Sequence, residues 1–132
     1  MTFYQEKLSH LKNICFSNDM QIEAVINTRK YIDNNYEKEL NLEFLSSIRF
    51  TSKYHLLRLF KRYYGITPRQ YLIDKRIEMA KKTLRNGLNV TETCFAVGFE
   101  SLGSFSSLFK TKTGKSPREY QKQQLSRSNL TV

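Results

Sequence analysis

The 132-residue sequence contains little cysteine, histidine, proline or glycine, and each shortage excludes a class of protein. Two cysteines are too few for a disulfide framework, and two histidines beside them leave no CxxC or HxxxH spacing for a metal ion. Five glycines and two prolines provide few of the turn signals that separate β-strands. We therefore predict an all-α protein with no metal site and no cofactor.

Long apolar runs are missing as well. No stretch approaches the roughly 18 apolar residues that a membrane span needs. The first ten residues, MTFYQEKLSH, lack the apolar segment of a signal peptide. We expect a cytoplasmic protein that does not enter a membrane. No Ser/His/Asp or Cys/His arrangement, glycine-rich phosphate loop or carboxylate pair stands out, so we do not expect an enzyme.

The net charge of +10 is concentrated in two segments. Residues 1–48 carry five Lys/Arg and seven Asp/Glu (−2), and residues 49–88 carry eleven and two (+9). Residues 89–109 carry no Lys/Arg and two Asp/Glu (−2), and residues 110–132 carry six Lys/Arg and one Asp/Glu (+5). A localised basic excess is typical of a surface that binds a polyanion. The alternatives are a basic surface that only aids solubility, or non-specific binding to nucleic acid or an anionic surface through charge alone.

A duplication organises most of the chain. The segment FKRYYGITPRQY at 60–71 returns 49 residues later as FKTKTGKSPREY at 109–120. When the alignment is extended back to Phe50 and Phe99, nine of 22 positions are identical. The shared residues are of the kinds that end helices and pack cores. The repeat therefore indicates two copies of one supersecondary unit.

Apolar spacing and capping residues predict about seven helices. Asn41, Ser52, Asn89 and Ser101 are expected N-caps, and Gly65 and Gly114 are expected to end the helices that follow Ser52 and Ser101. The predicted inner faces are Ile22, Val25, Ile26, Ile32 and Tyr36 for the first helix, Leu56, Leu59, Phe60 and Tyr63 for the third, and Phe105, Leu108 and Phe109 for the sixth.

We predict two helix-turn-helix subdomains joined by a long linker helix. The expected segments are an N-terminal extension at 1–20, a first subdomain at 21–66, the linker helix at 67–87, a second subdomain at 88–124 and a frayed tail at 125–132. At about 1.5 Å per residue the linker is roughly 28 Å long. One turn of B-DNA is roughly 34 Å, so the linker and its neighbouring helices can bridge successive major grooves.

The second helix of a helix-turn-helix enters the major groove, which displays a distinct pattern for every base pair. In the first copy Arg58 can bond a guanine edge, Leu57 can pack on a thymine methyl, and Tyr54 can offer its ring or hydroxyl. Lys53, Lys61 and Arg62 are expected to neutralise phosphates. The candidate DNA-binding residues of this copy are Ser52, Lys53, Tyr54, His55, Leu57, Arg58, Lys61 and Arg62.

The corresponding helix of the second copy contains no basic residue before Lys110. Its candidate DNA-binding residues are Ser101, Leu102, Gly103, Ser104, Ser106, Ser107 and Lys110. We therefore expect the first copy to carry most of the direct base readout. The second copy should contribute apolar contacts, hydroxyl contacts and positioning on the DNA backbone.

Residues 22–120 resemble the DNA-binding domain of the AraC/XylS family of bacterial transcription regulators. The resemblance rests on Val97-Gly98-Phe99, Phe105, Phe109-Lys110, Gly114, Ser116-Pro117 and Tyr120, with Arg76 and Ala80 in the linker helix. It implies two recognition helices in successive major grooves of double-stranded DNA. It further implies transcription regulation, more often activation, with RNA polymerase as a partner. A monomer on DNA is expected, with a dimer as the alternative.

The chain departs from the family pattern at a few positions. Arg49 stands where the family often has Gly, Thr93-Cys94 stands where it usually has Ile-Ala, and Ser107 stands where it often has Arg. Cys94 is therefore expected to pack in the core. Met1 and the short N-terminal stretch favour a stand-alone regulator over the excised C-terminal domain of a longer one.

Overall fold

The computed structural model describes residues 3–48 and 52–130, without the side chains of residues 3, 4, 7–18, 48, 129 and 130. Those ranges contain seven α-helices and no strand, which confirms the predicted all-α fold. The helices are α1 (Phe3–Asn35), α2 (Leu42–Ile48), α3 (Lys53–Tyr64), α4 (Pro68–Arg85), α5 (Val90–Ala96), α6 (Leu102–Thr113) and α7 (Pro117–Leu130).

The chain divides into two compact units. Unit 1 comprises the residues up to Tyr31 together with Asn41–Pro68, and unit 2 comprises Ile32–Leu40 together with the residues from Arg69 onward. The linker helix predicted at 67–87 corresponds to α4, which belongs to unit 2 from Arg69 onward. The tail predicted to fray from 125 is instead helical up to Leu130, as part of α7.

Helix α1 differs from its prediction in length and in its buried face. The separate extension predicted at 1–20 is helical from Phe3 and continues without a break to Asn35. Ile22 and Ile26 are exposed, so their assignment to the inner face was wrong. Ala24, Val25, Thr28 and Ile32 form the buried face instead. Thr28 can be buried because its hydroxyl donates a hydrogen bond to the Ala24 carbonyl at 2.7 Å.

In unit 1 the helix-turn-helix consists of α2 and α3. Asn41 Oδ1 accepts from the backbone N–H of Phe44 at 2.9 Å, and Ser52 Oγ accepts from that of His55 at 3.1 Å. Both predicted N-caps are therefore confirmed. Gly65 ends α3 with φ +79°, a left-handed conformation that costs glycine little. The turn residues Arg49 and Phe50 lie outside the described residues.

The core of α3 was predicted correctly except at one tyrosine. Leu56, Leu59 and Phe60 are buried. Tyr63 is 47% exposed, so its place in the inner face was wrong. Tyr64 takes that place, with its ring centroid 4.8 Å from that of Phe60.

In unit 2 the helix-turn-helix consists of α5 and α6, and it repeats the local geometry of the first. Asn89 Oδ1 accepts from the Glu92 N–H at 2.8 Å, and Ser101 Oγ accepts from the Ser104 N–H at 3.2 Å. Gly114 ends α6 with φ +83°, close to the value at its repeat counterpart Gly65. The duplication therefore holds for helix caps and ends.

A chain of aromatic rings forms the centre of unit 2. The centroid distances are 5.2 Å for Phe99–Phe105, 5.7 Å for Phe105–Phe109 and 5.4 Å for Phe109–Tyr120. Cys94 is fully buried in the same cluster, which confirms its expected packing role. Burial raises the pKa of the Cys94 thiol, so the neutral form is favoured.

Candidate DNA-binding surface

The outward side of α3 carries an exposed set of four side chains, Tyr54, Arg58, Lys61 and Arg62, which we call the α3 face. Their spacing of i, i+4, i+7 and i+8 places them on one side of the helix, opposite Leu56, Leu59 and Phe60. Tyr54 is 72% exposed, the largest value among the exposed large hydrophobic side chains of the described residues. The apolar area of such an exposed aromatic ring contributes binding energy only when another molecule covers it.

Three further predicted residues of α3 lie at the flanks of this face. Lys53, His55 and Leu57 are half-buried rather than fully exposed. Lys53 Nζ lies 3.8 Å from Glu43 Oε1 of α2 and 6.0 Å from the Tyr54 ring centroid. Among the described residues, Lys53 is the only basic residue of α3 with an ion pair. The predicted phosphate contact of Lys53 therefore competes with an existing carboxylate.

The outward side of α6 has the same geometry but other chemistry. Its exposed residues, which we call the α6 face, are Gly103, Ser104, Ser107, Lys110 and Thr111. Leu102 is 41% exposed and Ser106 is half-buried, and both lie on the flank of α6 away from Ser104. All seven predicted residues of this copy are thus at least partly accessible to solvent, and their contacts with DNA stay predictions.

Thr111 was missed by the sequence analysis. It lies seven residues after Ser104 and four after Ser107, which places all three on one side of α6. Its hydroxyl donates to the Ser107 carbonyl at 2.9 Å. The helical spacing of Thr111 from Ser104 and Ser107 is visible in the sequence, but Thr111 carries no charge to mark it as a contact residue.

The 49-residue repeat allows the two faces to be compared position by position. Tyr54, Arg58, Lys61 and Arg62 correspond to Gly103, Ser107, Lys110 and Thr111. Lys61 and Lys110 are the only identical pair among these four positions. Two guanidinium groups, each able to form two parallel hydrogen bonds, are thus present on α3 and absent from the matching positions of α6.

The N-caps of the two helices can also contact DNA. Ser52 and Ser101 are both exposed, and each hydroxyl oxygen accepts a bond from the N–H three residues later. A hydroxyl that accepts one bond keeps its hydrogen as a donor. Both serines can therefore donate to a phosphate without losing their capping role.

The described residues contain no cluster of three or more His, Cys, Asp or Glu side chains suited to a metal ion. None of their helices combines the length and apolar character that crossing a bilayer requires.

A family model described as a helix-turn-helix domain matches residues 45–123, which include α3, α4, α5 and α6. A crystal structure of a transcriptional regulator with an AraC-type DNA-binding domain, from Chromobacterium violaceum, superposes with a TM-score of 0.68 and 28% identity. It covers 83% of this chain and 96% of that one. The chain belongs to the AraC/XylS family.

Curated relatives of this AraC-type domain are transcription regulators. The probable transcriptional regulator LumQ of Photobacterium leiognathi is 30% identical over 122 residues, which are 92% of this chain and 44% of that protein. The bifunctional transcriptional activator and DNA repair enzyme AdaA of Bacillus subtilis is 37% identical over 92 residues, 69% of this chain and 44% of that protein. The chain thus spans less than half the length of these relatives.

Membership of the family makes the chain a sequence-specific DNA-binding domain of a transcription regulator. The predicted resemblance is thereby confirmed. Which residues read the bases is a separate question, because the family relationship does not fix the chemistry of the two exposed faces.

Proposed function

We propose that this AraC-type domain reads its operator mainly through the α3 face and holds the DNA backbone through the α6 face. The observation that carries this proposal is the difference between the two faces at equivalent positions. Arg58 and Ser107 occupy the same place in the repeat, and only the arginine can bond two atoms of a guanine edge. Ser107 has a single hydroxyl, which offers weak discrimination between bases.

The α6 face suits contact with phosphates. It offers one ammonium group on Lys110, several hydroxyls, and no side chain at Gly103, so that the helix backbone can approach DNA closely. Contacts to phosphates fix the register of a protein on the duplex without reading the sequence. That each helix enters its own, successive major groove stays a prediction.

Binding to a selected duplex and to a scrambled duplex across a salt series tests the proposal. The selected duplex is obtained by enrichment from a random pool with the wild-type protein. We expect tighter binding to the selected duplex at every salt concentration, with both affinities falling as salt rises because counterions are released. Equal affinities would contradict specific recognition and favour binding through charge alone.

Substitutions then separate the two faces. Arg58→Ala should weaken binding to the selected duplex by about 5- to 150-fold, which corresponds to about 1–3 kcal/mol, and should relax sequence preference. Arg58→Lys is the matched control, because it keeps the charge and loses the planar fork. Lys61→Ala should weaken both duplexes alike. Ser107→Ala should change little, and a large loss there would overturn the division between the faces.

We also propose that the protein acts by binding rather than by catalysis, in the cytoplasm, as an activator that contacts RNA polymerase. Both recognition helices belong to one chain, which supports binding as a monomer. The relatives named as activators support the direction of regulation. Transcription in vitro from a promoter carrying the selected site, with purified RNA polymerase, tests this part. Reduced transcript at saturating protein would indicate a repressor.

A further inference from the structure

Within unit 2 the end of α1 is joined to α4 by Arg76. Its Nε donates to the Tyr36 carbonyl at 2.7 Å, and its Nη2 donates to the Lys38 carbonyl at 2.8 Å. Tyr36 follows directly on the end of α1 at Asn35, and Lys38 lies two residues further on. Backbone carbonyls at the end of a helix lack partners within it. The last turn of α1 has no basic residue of its own. Arg76 therefore supplies the positive charge that a helix C-terminus favours.

The same guanidinium also contacts the turn that leads into α6. Its central carbon lies 5.6 Å from the Phe99 ring centroid, within the range of a cation–π interaction. The Phe99 ring lies 5.2 Å from that of Phe105, a fully buried residue of α6. Arg76 is thus connected to α6 through one aromatic ring.

Gly98 shows how closely this turn approaches the end of α1. A Cβ atom at Gly98 would lie 2.9 Å from both Cα and O of Glu37, and 3.0 Å from Nε of Arg76. Gly98 also has φ +102°, a conformation that other residues rarely adopt. The turn is therefore packed against residues 36–38, with Arg76 at the point of contact.

The charge of Arg76 is retained in this setting. Burial lowers its pKa, and repulsion from Arg69 lowers it further, whereas Glu100 and Glu37 raise it. The guanidinium group of an arginine nevertheless stays protonated at neutral pH. A lysine would keep the charge, but its single ammonium group lacks the planar fork that spans two carbonyls.

We propose that Arg76 is a positioning residue for the second recognition helix. It holds the Gly98–Phe99 turn against residues 36–38 and so fixes the direction in which α6 leaves its N-cap. Arg76 acts through the turn and not by touching DNA. This inference rests on the proposed function, because it assumes that α6 meets DNA.

Hydroxyl-radical footprinting of Arg76→Gln and Arg76→Lys on the selected duplex tests this role. Wild-type protein should protect two patches of backbone. The patch beside the base pairs at which Arg58→Ala relaxes preference is assigned to α3, and the other to α6. Arg69→Gln is the matched control, because Arg69 is an exposed arginine of the same helix and, like Arg76, lines a cleft of about 640 Å³ beside the Gly98–Phe99 turn. Circular dichroism establishes that each variant is folded at the temperature used.

We expect Arg76→Gln to lose protection at the α6 patch while the α3 patch remains, and Arg76→Lys to lose part of it. Arg69→Gln should keep both patches. If folded Arg76→Gln and Arg76→Lys kept both patches at wild-type strength, the positioning role would be refuted. A proportional loss at both patches would show a role in stability alone and would also refute it. If the wild-type protein protected no second patch, the proposed function of α6 would fail first, so the two failures are distinguishable.

Discussion

The ion pair between Glu43 and Lys53 predicts that removal of a carboxylate should tighten DNA binding. Glu43 is 80% exposed, and its Oε1 lies 3.8 Å from Lys53 Nζ. An ammonium group binds a phosphate oxygen at about 2.8 Å. A phosphate on Lys53 therefore lies within about 6.6 Å of the Glu43 carboxylate, the sum of the two distances. Two negative charges at that separation repel each other.

The size of the repulsion follows from Coulomb's law. At about 6.6 Å it is about 0.6 kcal/mol with the dielectric constant of water, and about 2.5 kcal/mol at an effective value of 20. The lower figure applies here because Glu43 is largely exposed. Glu43→Gln should therefore tighten binding about threefold at low salt. The gain should shrink near 0.15 M salt, where the screening length is about 8 Å.

Titration of fluorescent duplexes by anisotropy, at several salt concentrations, measures this effect. Glu92→Gln is a matched control, because Glu92 is the repeat counterpart of Glu43 while the counterpart of Lys53 is Leu102. The control makes the same change in net charge but has no ammonium group to hold a phosphate nearby, so its gain should be smaller. In a Lys53→Gln background the gain from Glu43→Gln should also shrink. An unchanged or weaker affinity of Glu43→Gln at low salt would refute the reasoning.

Three further predictions concern stability, measured by urea denaturation. Phe105→Ala should lower the free energy of unfolding by about 3–5 kcal/mol because Phe105 is fully buried between two rings. Phe95→Ala should lower it far less, because the Phe95 side chain is 55% exposed. Similar losses in the two variants would contradict the assigned core. Ser101→Ala should cost about 1 kcal/mol through the lost N-cap, and no loss would show that the cap is dispensable. Because the pKa of Cys94 is raised, the folded state binds the thiol proton more tightly than the unfolded state does. This difference stabilises the fold fully below the ordinary thiol pKa of about 8.5, and the stabilisation is lost as pH rises beyond it. Stability should therefore fall above that pH more in wild type than in Cys94→Ala, and parallel curves would refute the assignment.

The helix ends could be predicted because the interactions that form them are local. A cap such as Ser52 or Asn89 bonds a backbone N–H three residues away, and both partners are visible in one short stretch of sequence. A glycine with positive φ, such as Gly65, is similarly a matter of its own backbone. The duplicated pattern strengthened these predictions by presenting most of them twice.

The faces of the helices were harder to predict because they depend on distant neighbours. The large aliphatic residues Ile22 and Ile26 were predicted to be buried, but the smaller Ala24 and Thr28 are buried instead. Tyr63 and Tyr64 are equally apolar, but Tyr64 meets a residue that is distant in the sequence, because Cζ of Arg29 lies 5.9 Å from its ring centroid. Arg76 matched a family pattern, yet its partners Tyr36 and Lys38 lie about 40 residues away and could not be inferred from spacing.

Gly103 has a consequence for how such a regulator can change its target. It is the second residue of α6, and alanine is favoured over glycine in a helix by at most about 0.5–1 kcal/mol, the value for a helix interior. A Cβ atom there would meet no other atom within 4 Å. A new side chain can thus be introduced at the N-terminal end of the α6 face without a clash inside the protein, where it would replace the close approach of the backbone to DNA with contacts of its own. New operator preferences could therefore arise at this position by single substitutions, while the core that folds the domain stays as it is.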